Sequence, residues 1–161
     1  MKNLTKSCFL ELVNKSKMVY AKETSFNHTN KSEYLELSNY EIILEQQIFY
    51  QNRSQYVNLI KDYIDGKINC YVFQWDFFEL YQNHLEILDD LIENSNQYSS
   101  ITFYTDSKIK HVSSLINDMV GFCEFLDEGV TEERFDEEIK KIYNDLQKYA
   151  SLTLTIHYEI K

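Results

Sequence analysis

The chain contains no proline and only three glycines among 161 residues. These two residue types supply most of the tight turns that connect strands. A β-sandwich or a β-barrel needs many such turns, so their scarcity argues against both classes. Hydrophobic residues make up 43% of the chain and aromatic residues 15%, which is too many for a disordered chain. The composition therefore predicts a mainly α-helical protein with its own core.

Cysteine and histidine are sparse and are not spaced as metal ligands. Cys8, Cys70 and Cys123 form no Cys-x-x-Cys pair, and the four histidines form no His-x-x-x-His pair. Zinc sites use ligands at short, repeated spacings, so we expect no metal and reduced thiols. The three glycines lie too far apart for a phosphate-binding loop. We therefore predict no cofactor and no enzymatic activity.

Long apolar runs are also absent. Every run ends at a charged residue well before the roughly 18 residues that a membrane-spanning helix needs. The basic start has too short an apolar stretch for a signal peptide, because Glu11 interrupts it. We expect no membrane insertion and a cytoplasmic location, or the stroma or matrix if an organelle encodes the protein.

Positive charge is scarce after the first thirty residues. The chain has 16 Lys and Arg against 26 Asp and Glu, which gives a net charge of −10. Residues 1–31 carry +4, so residues 32–161 carry −14. Because nucleic acid would be repelled, we expect no direct nucleic-acid binding. The charge division predicts a basic N-terminal helical arm (1–31) and an acidic helical bundle domain (32–161) that includes a C-terminal tail (151–161).

Apolar residues recur at spacings of three and four and predict helices along most of the chain. The predicted helical segments are 5–23, 40–65, 70–93, 107–127 and 132–149. The polar stretch 24–32 predicts a loop, and a break near Asn52–Ser54 is left open. Because the later linkers are short, segments 56–65, 70–93, 107–127 and 132–149 should pack as an antiparallel four-helix-type bundle. His84 falls on the apolar stripe of its segment and should be a hydrogen-bonded core residue.

The tail shows a different pattern. Apolar and polar residues alternate from Leu152 to Ile160, which predicts a β-strand. Such a strand needs a partner, and we leave three open: residues 33–37, residues 101–105 or another chain.

Acidic residues concentrate most strongly between positions 124 and 138. This stretch has eight acids and one arginine, a local charge of −7. The acids are Glu124, Asp127, Glu128, Glu132, Glu133, Asp136, Glu137 and Glu138. The helix dipole accounts for the first two acids of the last helix but not for the whole cluster. The cluster is either an ordinary solvated surface or a docking face for a basic protein partner.

Two stretches resemble the colicin-like (colicin D type) immunity proteins. Residues 63–69, Tyr-Ile-Asp-Gly-Lys-Ile-Asn, followed by Phe73, Phe77 and Leu80-Tyr81, are similar to that family's opening. Residues 122–127, Phe-Cys-Glu-Phe-Leu-Asp, and 130–135, Val-Thr-Glu-Glu-Arg-Phe, are similar to its third helix and the start of its fourth. The resemblance covers about residues 56–149.

The resemblance implies an antiparallel helical bundle without catalysis. In that family an acidic face binds and blocks the basic active site of a nuclease toxin. Only the acids at 124–138 correspond to that face, and residues 1–55 and the tail lie outside the pattern.

A second hypothesis is a structural or assembly subunit. The chain has 14 lysines but two arginines and is rich in asparagine, isoleucine, tyrosine and phenylalanine, a composition typical of AT-rich genomes. Plastids and mitochondria have such genomes, so the basic arm and the tail could attach the bundle to neighbouring subunits of a larger complex.

Overall fold

A computed structural model of the chain describes residues 4–21, 30–125, 131–150 and 158–160. These residues form five α-helices: α1 (Lys6–Tyr20), α2 (Lys31–Ile64), α3 (Cys70–Glu93), α4 (Ser107–Phe125) and α5 (Glu132–Ala150). A 3-10 turn, Ser95–Gln97, leads from α3 into strand β1 (Tyr98–Ile101), which pairs antiparallel with β2 (Tyr158–Ile160). The prediction of a mainly α-helical protein is confirmed.

Helix α2 contacts each of the four other helices. At its C-terminal end the ring of Tyr63 packs on Phe73 of α3, at 4.9 Å between ring centroids, and on Phe135 of α5, at 5.8 Å. Nearly three turns earlier, the guanidinium Nε of Arg53 donates to the carbonyl of Tyr149, at the far end of α5 (2.6 Å). Further along α3, His84 lies against the earlier Tyr56 of α2 (2.7 Å between Nδ1 and the hydroxyl). Helices α3 and α5 therefore both run antiparallel to α2.

The core has two parts, which divide α2 between them. The first lies among the C-terminal half of α2 and helices α3, α4 and α5, and includes Tyr56, Phe77 and Phe135. The second lies among α1, the N-terminal half of α2, the end of α3 and β1, and includes Phe9 and Tyr40. The described part of the predicted arm thus packs its apolar face against the acidic domain.

Local hydrogen bonds fix the predicted starts of α3 and α5. The side chain of Asn69 caps α3 by accepting from the backbone N–H of Val72 (2.9 Å), and Thr131 caps α5 by accepting from that of Arg134 (3.3 Å). Gly66 follows α2 with a φ of 71°, a conformation that glycine adopts without strain.

The start and continuity of α2 differ from the prediction. The helix begins at Lys31 and not at Tyr40, so Ser32 is helical, and residues 33–37 are helical and cannot pair with a strand. The helix continues without a break through Asn52 and Arg53. The Asn52 side chain donates to the carbonyl of Ile48 (2.9 Å). The buried Arg53 side chain donates to the carbonyls of Tyr50 and Tyr149. Polar residues that could end a helix are thus held inside this one.

The tail strand pairs with β1, which begins three residues before the 101–105 alternative. Residues 22–29, 126–130 and 151–157 lie outside the described residues, and with them most of the predicted loop and of the predicted tail strand. Helix α4 begins at the predicted position, and α3 has the predicted bounds. A search of the described residues finds no helix with the length and apolarity needed to cross a bilayer.

Replacing Phe77 by alanine should lower the free energy of unfolding by about 3–5 kcal/mol, because its fully buried ring would leave a cavity. Urea denaturation measures this loss. Trp75→Ala is the matched control, since it lies two residues away and is 69% exposed; it should change stability by less than about 0.5 kcal/mol. Similar losses in the two variants would show that the buried face of α3 is misassigned.

Candidate protein-binding surface

The first turns of α5 carry three exposed carboxylates, Glu132, Glu133 and Glu137, which we call the α5 acidic face. Phe135 and Ile139 are fully buried and fix the rotation of the helix, which places Glu133 and Glu137 on the opposite side, while Glu132 is the first residue of the helix. No ion pair links the α5 acidic face to any other described residue. Glu132 and Glu133 also lie at the positive end of the helix dipole, which favours acids there.

The other predicted site acids are placed differently. Asp136 accepts a hydrogen bond from the hydroxyl of Tyr63, and Glu138 pairs with Lys141 (2.8 Å). Glu124 is exposed in the last turn of α4. Asp127 and Glu128 lie outside the described residues. The structure thus brings three of the eight predicted acids together as exposed charges without partners among the described residues, and it uses two others in internal contacts.

The Tyr63–Asp136 contact joins the end of α2 to the start of α5. Burial raises the pKa of the Tyr63 hydroxyl, and its hydrogen bond to Asp136 raises it further. Tyr63 therefore remains a protonated donor. Because its ring also packs on Phe73 and Phe135, this contact positions α5, and the Asp136 carboxylate is engaged within the protein.

Two exposed aromatic residues were missed by the sequence analysis. Tyr71 and Trp75 lie one turn apart near the start of α3 and are 75% and 69% exposed. With Gln74 and Phe78 they line a shallow groove of about 250 Å³. A signal was available, because Trp75 is the only tryptophan of the chain and lies off the apolar stripe of its helix.

The aromatic pair and the α5 acidic face lie at the same end of the bundle. Cys70, the residue before Tyr71, is in electrostatic contact with both Glu132 and Asp136. Burial raises the pKa of the Cys70 thiol, and these two carboxylates raise it further, against a hydrogen bond from Tyr63 that lowers it. The start of α3 therefore lies within the negative field of α5.

His84 has the predicted role of a core residue. It is buried, and its Nδ1 lies 2.7 Å from the hydroxyl of Tyr56. Burial lowers the pKa of His84, which keeps the ring neutral at physiological pH. Across the described ranges, no three His, Cys, Asp or Glu residues are grouped so that they could hold a metal ion.

Comparisons with known proteins return no family model, no curated protein and no solved structure that matches this chain. The similarity to immunity proteins therefore stays a prediction from the motifs at residues 63–81 and 122–135.

A different group of acids lies between the helices. Glu41 and Glu45 occupy successive turns of α2 and are half-buried. Burial raises the pKa of Glu41, and the charge of Asp89 on α3 raises it further. Burial also raises the pKa of Glu45, against a hydrogen bond from Asn117 that lowers it. The folded protein therefore disfavours the ionised form of each carboxyl more than the unfolded chain does.

The Glu41 shift predicts a pH dependence of stability. Since its pKa is raised above the ordinary value of 4.5, its contribution to stability should be lost as the pH rises above that value. Glu41→Gln should therefore raise the urea midpoint at pH 7, and the gain should shrink as the pH falls towards 4.5. Glu11→Gln is the control, because Glu11 is exposed and pairs with Lys15, and it should give no gain. A gain for Glu41→Gln that is independent of pH would contradict the assignment.

Proposed function

We propose that this chain is a non-catalytic protein-binding module that binds and blocks a basic nuclease toxin through an acidic surface at the start of α5. The observation that carries the proposal is the α5 acidic face, where three neighbouring carboxylates point to solvent and form no ion pair with the described residues. Their likeness in position to the acids of colicin-like immunity proteins is a second support.

Several acids elsewhere on the surface are paired with lysines, whereas those of the α5 acidic face are not. Lys15 bridges Glu11 and Glu33, at 3.0 and 2.8 Å, and Lys148 lies beside Asp145. At the start of α5, like charges repel at a cost of a few tenths of a kcal/mol per neighbouring pair. A cationic partner would relieve that repulsion, so the arrangement favours binding more than it favours folding.

The charge of a nuclease makes it a suitable partner. An enzyme that binds nucleic acid presents cationic groups to the phosphates. An acidic face complements these groups, attracts the enzyme at long range and covers the surface that the substrate needs. The α5 acidic face is held rigidly for this purpose by the buried side of its own helix and by the Tyr63–Asp136 contact.

Three reactive side chains of the described chain are held in inactive forms, which supports a non-catalytic role. Burial raises the pKa of Cys123 to about 12, so its thiol is not ionised at neutral pH. The thiol of Cys70 is shifted in the same direction, and His84 is buried and neutral. None of the three is prepared to act as a nucleophile or to exchange protons with a substrate.

The variant Glu132→Gln/Glu133→Gln/Glu137→Gln tests the proposal with the purified catalytic domains of colicin D type nucleases as partners. We expect the wild-type chain to bind one of them and to inhibit its cleavage of RNA. The triple variant should associate more slowly and with a weaker salt dependence, because exposed charges act mainly on the association rate. Stopped-flow association at several salt concentrations measures both effects. Asp136 is left unchanged because of its bond to Tyr63.

The matched control is Glu11→Gln/Glu33→Gln/Asp145→Asn, which also removes three negative charges. These acids are ion-paired on the surface, so each pair should contribute at most about 1 kcal/mol to stability. If the control slows association as much as the test variant does, net charge and not the α5 acidic face governs binding. If the wild-type chain inhibits none of the nuclease domains, the immunity proposal is wrong and the assembly-subunit hypothesis takes its place.

A further inference from the structure

The solvent side of α3 is acidic along its whole length. The helix contains six acids and neither lysine nor arginine. Seven exposed residues recur at spacings of three and four and therefore share one side of the helix, which we call the α3 outward face. They are Tyr71, Trp75, Glu79, Gln82, Glu86, Asp89 and Glu93. The opposite side of α3 is buried in the core.

The carboxylates of this face have no cationic partners in the described parts of the chain. No described lysine or arginine forms an ion pair with Glu79, Glu86 or Glu93. Lys17 reaches the end of α3, but it donates to the backbone carbonyl of Glu93 (2.8 Å). His84, the only histidine of the helix, is buried on its other side and neutral.

Tyr71 and Trp75 begin this face as an exposed aromatic pair. Trp75 lies opposite the core, so packing against the other described residues does not account for its position. Tryptophan and tyrosine are the residues most enriched among the energetic centres of protein interfaces. Their ring faces also attract cations, and the planar guanidinium group of arginine stacks on them best.

We propose that the α3 outward face is a docking surface for an arginine-bearing segment of a cationic protein. Guanidinium groups would stack on Trp75 and Tyr71, and neighbouring cationic side chains would pair with Glu79 and Glu86. This inference rests on the proposed function in that it concerns the same basic partner, and it assigns the anchoring contacts to α3.

Charge complementarity selects this occupant over others. Nucleic acid and anionic lipid would be repelled by the acids. An apolar segment would leave the carboxylates buried without partners, which is costly. The face extends about 33 Å along the helix at 1.5 Å per residue, long enough for a protein interface of ordinary size.

The single tryptophan provides a direct probe of this surface. The full-length chain is titrated with a nona-arginine peptide while the fluorescence of Trp75 is followed. We expect a saturable change in emission, since the ring would pass from water to a stacked contact. Glu79→Gln/Glu86→Gln should raise the Kd about tenfold, and calorimetry should show a similar effect for Trp75→Ala.

The control Glu11→Gln/Glu33→Gln removes the same net charge on α1 and α2 and should leave the Kd within about twofold, because distant exposed charges are screened. Equal weakening by the control, peptide binding without a change in Trp75 emission, or no saturable binding would each overturn the proposal. Circular dichroism and urea denaturation establish that the variants remain folded.

The same variants distinguish the two proposals when the nuclease domains are the partners. If the wild-type chain binds a nuclease domain and Trp75→Ala and Glu79→Gln/Glu86→Gln leave its Kd unchanged, the α3 docking surface is wrong and the proposed function stands. If Trp75 responds to the peptide as expected but no nuclease domain is bound, the docking surface stands and the immunity function is wrong.

Discussion

Burial of α2 among the other four helices is the constraint on which the rest of the structure depends. Its 34 residues span about 51 Å. Its buried aromatic residues contribute to both parts of the core, Tyr56 to the first and Tyr40 to the second. The outer helices pack around α2, and each of them buries only the stripe of side chains that faces the core. The opposite sides of α3 and α5 are therefore exposed and lie outside the core, and both candidate binding surfaces are found there.

The outer helices could be predicted from sequence because each has one apolar stripe and a local cap. For α3 the stripe through Phe73 and Phe77 and the Asn69 cap gave its bounds, and for α5 the Thr131 cap gave its start. Helix α2 could not be predicted in the same way. A helix buried on several sides has no single stripe, so its first residues looked separate from the rest. Its apparent break is removed by contacts of Arg53 with α5, which lies almost a hundred residues away.

The candidate site was predictable only in part, for a related reason. The exposure of Glu133 and Glu137 follows from the stripe through Phe135 and Ile139, and that of Glu132 from its place as the first residue of the helix; both are local information. The engagement of Asp136 does not, because Tyr63 belongs to another helix. Trp75 was locally visible as an aromatic residue off its stripe. It was overlooked because an AT-rich composition explained the abundance of tyrosine and phenylalanine, but that bias does not explain where a lone tryptophan lies.

In α3 and in α5, one side of the helix packs in the core and the opposite side is exposed and available for binding. On α3, Phe77 faces the core and Trp75 faces solvent, two residues apart. The core can therefore support a surface whose like charges lower stability, since each exposed repulsion costs only tenths of a kcal/mol and each buried aromatic contributes several. An uncompensated negative charge on such a rigid surface is least favourable when the protein is alone. It becomes favourable when a cationic partner supplies the ion pairs that the described residues do not make there.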